Sequence, residues 1–224
     1  GQSPTAAAFG RSLRSDIGHM STSFLIVGLG NPGEEYEETR HNVGFEVVHR
    51  LETLASWKRH SSGFYSETRY SPGVAETPAW LAKQPIVLAR VETYMNESGR
   101  AVATLIRNYP LSTIHSQLLV LHDDLDLPIG TLRLSSGGSS GGQRGVQSII
   151  DALGTKDFLR LRIGIGPNET ADGHRIPAED FVLKKFRSGE REKIDRAIAR
   201  SVQTIDLLLR EGIPAAQQFA NANE

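Results

Sequence analysis

Four short segments concentrate the side chains that can do chemistry. The first, Val27-Gly28-Leu29-Gly30-Asn31-Pro32-Gly33, follows an apolar run and carries the spacing G-x-G-x-x-G. That spacing holds a dinucleotide when the glycines open a helix whose N–H groups face a pyrophosphate. Here Pro32 removes an N–H, and Glu34-Glu35 place two negative charges where phosphates would sit. The glycines read better as a tight turn. Asn31 and Tyr36 then fall beyond the carboxyl end of a strand, where open α/β sheets form their clefts. A nucleotide-dependent oxidoreductase built on this loop is a rival reading.

The second segment is Thr39-Arg40-His41-Asn42-Val43-Gly44. Asn42 is expected to cap a helix. At a helix N-terminus the dipole disfavours imidazolium, so His41 is expected to stay neutral, as a general base must. The third is His122-Asp123-Asp124-Leu125-Asp126-Leu127-Pro128. A His and three acids raise the question of a metal. Adjacent residues on an extended chain face opposite ways, however, and a hard cation wants spaced oxygens. The segment is either a polar turn closed by Pro128 or the source of a carboxylate that orients a catalytic His. The fourth is Thr93-Tyr94-Met95-Asn96-Glu97-Ser98-Gly99. Its Asn96 is expected to open a helix as cap, and its amide can also contact a ligand.

The elements that must position these residues follow from hydrophobic period. An apolar run at 24–27 predicts a buried strand. A helix begins at Asn42, with Phe45, Val48, Leu51 and residues 54–55 at helical spacing. Strands are expected at 64–70 and 86–90, with a loop at 72–83 between them. Asn96 starts a helix whose face is Val102, Leu105 and Ile106. Residues 118–121 form a continuous apolar run, as a central strand does. A strand at 130–134 leads into a glycine- and serine-rich loop at 135–145. Val146, Ile149, Ile150 and Leu153 make one helical face, closed by Gly154. A half-exposed strand is expected at 159–165. Ser188 caps a last helix with the stripe Ile194, Ile198, Val202, Ile205 and Leu208-Leu209, ended by Gly212 and Pro214.

Strands and helices interleave throughout, which predicts an α/β fold: a single domain with a mixed, mostly parallel central sheet flanked by helices. The 224 residues, 38% apolar and 23% charged, suit one such domain. Residues 1–20 differ, being rich in Ala, Ser and Gly without a sustained period. They read as a leader ahead of a start at Met20, or as a transit-like segment, with the domain spanning 21–224. No apolar run approaches the ~20 residues of a membrane span. The absence of cysteine excludes disulfides, a thiolate nucleophile and Cys-ligated metal, and suits a reducing compartment. The net charge of −1 provides no global basic field, so a nucleic acid would need a local patch.

Taken together and in this order, the four segments and Leu-Arg-Ile-Gly-Ile-Gly at 161–166 resemble the bacterial-type peptidyl-tRNA hydrolases. The resemblance runs from about Phe24 to Ala220. It implies cleavage of the ester between a peptide and the 3′ ribose of tRNA. It implies a cytoplasmic monomer with no cofactor, no membrane association and no obligate protein partner. Carried onto this chain, it makes His41 the base, Asp123 its orienter, and Asn31 and Asn96 the residues that position substrate and water. Tyr36 and Met95 would line the peptide channel. The residue chemistry agrees, since an ester needs only an activated water and oxyanion support. Water activated by His41 is therefore the economical nucleophile, and the reaction requires no metal.

For the tRNA, Arg133 and Arg144 flank the glycine-rich loop, Arg160 and Arg162 share one strand face, and Lys184, Lys185 and Arg187 form a basic run. Each cluster is either a solvated surface or part of a phosphate clamp. One departure stands out. Where the family has His-Asn inside Gly-His-Asn-Gly, this chain has Gly142-Gln143-Arg144-Gly145. Arg144 cannot accept a hydrogen bond. Either it turns outward and leaves Gln143 near the substrate, or it lies in the cleft and pairs with Asp123. A hydrolysis-deficient RNA-binding protein of the same fold is therefore the alternative function.

Overall fold

The computed structural model describes residues 24–54, 57–61, 65–70, 86–170 and 172–222. The expected leader at 1–20 and loop at 72–83 lie outside them. Seven strands form one sheet: β1 (Phe24–Gly28), β2 (Trp57–Ser61), β3 (Tyr65–Tyr70), β4 (Ile86–Val91), β5 (Leu118–Pro128), β6 (Leu132–Ser136) and β7 (Leu159–Gly166), in the order β2-β3-β4-β1-β5-β7-β6. The central strands β4, β1, β5 and β7 are parallel. The outer pairings are antiparallel.

The period of two along β1 divides the core. Ile26 faces the layer of α1 (Val43–Glu52), α6 (Ser188–Glu211) and α7 (Ile213–Asn221), together with Leu119, Leu121, Leu161 and Ile194. Leu25 and Val27 face the layer of α2 (Ser98–Asn108) and α4 (Arg144–Leu153), together with Val102, Leu105, Val146 and Ile149. A short helix, α3 (Ile114–Gln117), leads into β5, and α5 (Ala178–Val182) precedes α6.

Several expectations need correction. β5 does not end at Leu121. It continues through the acidic segment to Pro128, because β7 offers pairing partners as far as Gly166, with an irregularity between Asp124 and Pro128. β7 is buried almost throughout and not half-exposed, because it lies between β5 and β6. The alternating strand after Gly130 begins only at Leu132. β2 is a strand beyond those expected, paired with β3. Asn96 does not cap a helix: a 3-10 turn, Met95–Glu97, intervenes before α2 starts at Ser98. Arg187, not Ser188, holds the N-cap position of α6, where its N–H donates to Glu190 (2.8 Å). Pro214 does not only follow α6; it opens α7, where its missing N–H is harmless.

Candidate active site

Gly28 and Gly30 of the first segment serve packing, while Gly33 takes the positive φ of 115° that a tight turn needs. A Cβ on Gly28 would lie 2.5 Å from the carbonyl oxygen of Gly44, and a Cβ on Gly44 would lie 2.5 Å from that of Leu121. The bare backbones therefore let the start of α1 sit directly on β1 and β5. After Gly33 comes only a three-residue turn, Glu34–Tyr36, so no helix N-terminus faces this loop.

This close seat brings a turn, Arg40–Asn42, against the carboxyl half of β5. There the Nδ1 of His41 lies 2.9 Å from the Oδ2 of buried Asp123. An ionised carboxylate only accepts, so Nδ1 carries the proton and Nε2 is the basic nitrogen. Burial disfavours the imidazolium, but the charge and hydrogen bond of Asp123 outweigh it and hold the His41 pKa above the ordinary 6.5; Arg144 opposes them weakly. The expectation that the helix dipole keeps His41 neutral is thus overridden by a closer carboxylate. For Asp123, burial pushes the pKa up. The charge and hydrogen bond of His41, with a hydrogen bond from Gln143, pull it below the usual range. The neighbouring His122 faces away, its Nδ1 2.8 Å from the Asp123 carbonyl oxygen, and burial lowers its pKa.

Asn42 does not cap α1 with its side chain. It clips Asn31 instead: the Asn31 N–H donates to Asn42 Oδ1 (2.8 Å), and Asn42 Nδ2 donates to the Asn31 carbonyl (2.9 Å). Asn31 Oδ1 accepts from the Met95 N–H (2.8 Å). With its oxygen engaged, Asn31 presents Nδ2 as a donor.

Asn31, His41, Met95, Asn96, Asp123, Gln143 and Arg144 all line one cleft of about 760 Å³, beyond the carboxyl ends of β1 and β4 and beside the carboxyl half of β5. Asn96 is exposed there. Tyr36 is not among the lining residues; it meets Tyr94 edge to face, with ring centroids 6.4 Å apart. Tyr94 and Leu183 are the exposed apolar groups of the cleft walls. Neither stood out in the sequence, where Tyr94 was overshadowed by its neighbour Asn96. A larger depression of about 1200 Å³ shares Asn31 but neither His41 nor Asp123.

The departure at 143–144 has a definite geometry. Gln143 caps α4, its Oε1 accepting from the Val146 N–H (2.9 Å). Its Nε2 donates to Asp123 Oδ1 (3.0 Å) and lies 3.3 Å from the Met95 sulfur. Arg144 does not pair with Asp123. It is 70% exposed and reaches Glu179 of α5 at 3.3 Å. Neither alternative is adopted whole: Arg144 stays at the cleft wall with Glu179 as its partner, and it is Gln143 that bonds Asp123.

The basic groups separate. Arg133 and Arg162 are cross-strand partners on β6 and β7, both partly exposed. Arg162 donates to Asp124 (2.6 Å), and Arg133 donates to the Asn221 carbonyl (3.2 Å). Arg160 is only 4% exposed and donates to the Ser139 carbonyl under the glycine-rich loop (2.6 Å), so it is neither a solvated group nor placed as the tRNA contact expected of it. Lys185 pairs with Glu38 at 3.1 Å. Among the described residues, no group of three or more His, Asp or Glu is placed to hold a metal, and no helix is long and apolar enough to cross a membrane.

A paired His and Asp, with an amide donor beside them at the carboxyl ends of parallel strands, define an α/β protein equipped for base-assisted chemistry. Comparison with known proteins narrows the class. The family model described as Peptidyl-tRNA hydrolase matches residues 25–224. The peptidyl-tRNA hydrolase of Thermodesulfovibrio yellowstonii is 40% identical over 199 residues, which cover 88% of this chain and 98% of that protein. That of Nocardia farcinica is 44% identical over 193 residues, covering 86% and 93%. The crystal structure of the peptidyl-tRNA hydrolase from Acinetobacter baumannii superposes with a TM-score of 0.77 at 32% identity, covering 92% of this chain and 98% of that one. The chain belongs to the peptidyl-tRNA hydrolase family.

Proposed function

We propose that this protein hydrolyses the ester joining a peptide to the 3′ ribose of tRNA, using water activated by His41. The observation that carries this reading is the His41–Asp123 pair in one cleft with the Asn31 amide. His41 Nε2 takes a proton from water as its oxygen attacks the ester carbonyl carbon. Asp123 holds the imidazolium so formed. Asn31 Nδ2 and the Asn96 amide donate to the oxyanion. The tetrahedral intermediate then collapses, the bond to the ribose oxygen breaks, and the imidazolium returns its proton to that oxygen. The products are a peptide acid and a tRNA with a free 3′ end. Every proton is accounted for by water and one imidazole, so no metal has a required step. Met95, Tyr94 and Leu183 supply apolar contacts for the peptide. Arg133 and Arg162 lie on the strand pair beside the cleft and are assigned to the tRNA phosphates.

The test is release of free tRNA from an N-blocked aminoacyl-tRNA in the presence of chelator, by wild type and by His41→Ala. Wild-type turnover with loss of at least about tenfold in the variant supports the assignment. One observation favours a second reading, an RNA-binding protein without hydrolysis: Gln143-Arg144 replaces the family's His-Asn, and the Gln143 amide is wholly engaged. An inert wild type that regains cleavage through Gln143→His with Arg144→Asn would establish it.

A further inference from the structure

We infer that Arg40 is a positioning residue for His41, fastening the turn that carries the base to residues 181–190, whose first residues also wall the cleft. The inference rests on the hydrolytic reading of His41. Arg40 is only 2% exposed. Its guanidinium carbon lies 4.3 Å from the ring centre of Phe181 and 4.9 Å from that of Phe186. Its Nη2 donates to Glu190 Oε2 (2.7 Å), the oxygen that also accepts the Arg187 N–H at the start of α6. Its own N–H donates to the Lys184 carbonyl (3.0 Å), and Thr39 forms an antiparallel bridge with Lys185. The turn Arg40–Asn42 is thus joined by side chain and backbone to residues 181–190. Val182 and Leu183 of that stretch, with Ala178 and Glu179 just before it, line the same cleft as His41.

The two neighbours work in opposite directions. Arg40 reaches towards α5 and α6 while His41 reaches to Asp123 on β5, so the turn is held from both sides. A charge buried this deeply is an expensive way to fill space. Its Nε and Nη1 have no hydrogen-bond partner among the described residues, and an apolar side chain of similar volume would ordinarily fold as well. What the guanidinium adds is a flat cation that lies against two rings and donates to one carboxylate. That fixes the rotation of the turn, and with it the approach of the imidazole to Asp123. A misplacement of roughly 1 Å at such a group can cost up to about a hundredfold in rate.

The experiment compares wild type, Arg40→Met, Arg40→Lys, Phe186→Leu and Glu190→Gln in the full chain. Turnover of N-blocked aminoacyl-tRNA is measured beside the titration of His41 by NMR. His41 faces Asp123 and Arg144, and Arg40 with Glu190 lies behind it. Deleting the Arg40 charge alone would make the imidazole easier to protonate. Pulling the ring away from Asp123 would make it harder. The expected result is that folded Arg40→Met loses at least about tenfold in kcat and that its His41 titrates at lower pH than in wild type. Arg40→Lys keeps the charge without the flat stack and should recover only part of both. If Arg40→Met does not fold, Phe186→Leu and Glu190→Gln should each show the same downward movement in smaller measure. Folded variants with wild-type kcat and an unmoved or raised His41 titration would overturn the inference. A wild type that is itself inert would sink the hydrolytic reading, while the His41 titration would still decide whether Arg40 positions the ring.

Discussion

Asp123→Asn keeps the shape of the orienting group and removes its charge. With that charge gone, burial and Arg144, which both favour the neutral ring, are opposed only by the hydrogen bond that the amide oxygen can still accept. In wild type the base is blocked by a proton at pH values below a folded-state pKa that stands above 6.5, so kcat/KM should rise with pH through that region. In Asp123→Asn the rising limb should move to lower pH while the plateau falls by at least about tenfold, because the imidazolium of the transition state loses its support. A limb that stays in place would mean that another group sets it. Arg144 is tested at the same scale. The residue reaches outward to an exposed partner, and a surface pair of this kind contributes at most about 1 kcal/mol. Arg144→Asn should therefore leave cleavage of a minimal esterified nucleotide unchanged or improved. A loss of turnover on that substrate would place Arg144 among the groups that act on the ester.

At the scale of elements, the site exists because α1 can press its N-terminus onto β1 and β5. The atoms that a Cβ on Gly44 would meet are backbone atoms of Leu29 and Leu121, which cannot swing aside. Gly44→Ala should cost about 1–3 kcal/mol through overpacking, which is a fall of several degrees in Tm for a chain of this size. Because the shift falls on the turn beside His41, kcat should drop as well. An unchanged kcat with a lowered Tm would separate packing from function. Asn42→Ala leaves the buried N–H and C=O of Asn31 without partners, at about 1–3 kcal/mol each. It should also release the Asn31 amide from its place in the cleft. How much of this was legible depends on the range of the interactions. Period and apolar runs identified β1, the first half of β5, α4 and α6, because burial of one face is a local signal. The pairing of His41 with Asp123 was expected only through the resemblance, since the two residues lie far apart in sequence. The role of Asn42 was misread because a cap and a tertiary clip use the same amide. The strand nature of 122–128 was hidden because it depends on β7 as a partner. Arg160 was misplaced because nothing in an alternating pattern tells which polar residue will be folded under a loop.

At the scale of the whole molecule, the net charge of −1 leaves recognition of a polyanion to a local arrangement. Arg133 and Arg162 stand opposite each other on the outer strand pair. Arg162 is bound to Asp124, which itself lines the cleft. Arg133 is bound to Asn221, whose side-chain amide also takes both backbone groups of Leu134 on the sheet edge. The end of α7 therefore holds β6 in place as well as orienting an arginine. A tRNA held here would span from this edge to the ester beside His41. Removing one phosphate-binding cation should reduce the slope of log binding constant against log salt by about one. Arg133→Gln and Arg162→Gln should each show that change and weaken tRNA binding alike for different tRNAs, because phosphate contacts carry no base information. Cleavage of a short esterified nucleotide, which cannot reach the arginines, should be nearly unaffected in Arg133→Gln. In Arg162→Gln a small loss is expected, since Asp124 is freed at the cleft wall. Equal losses on the short and full substrates, with an unaltered salt slope, would show that these arginines only brace the edge of the sheet.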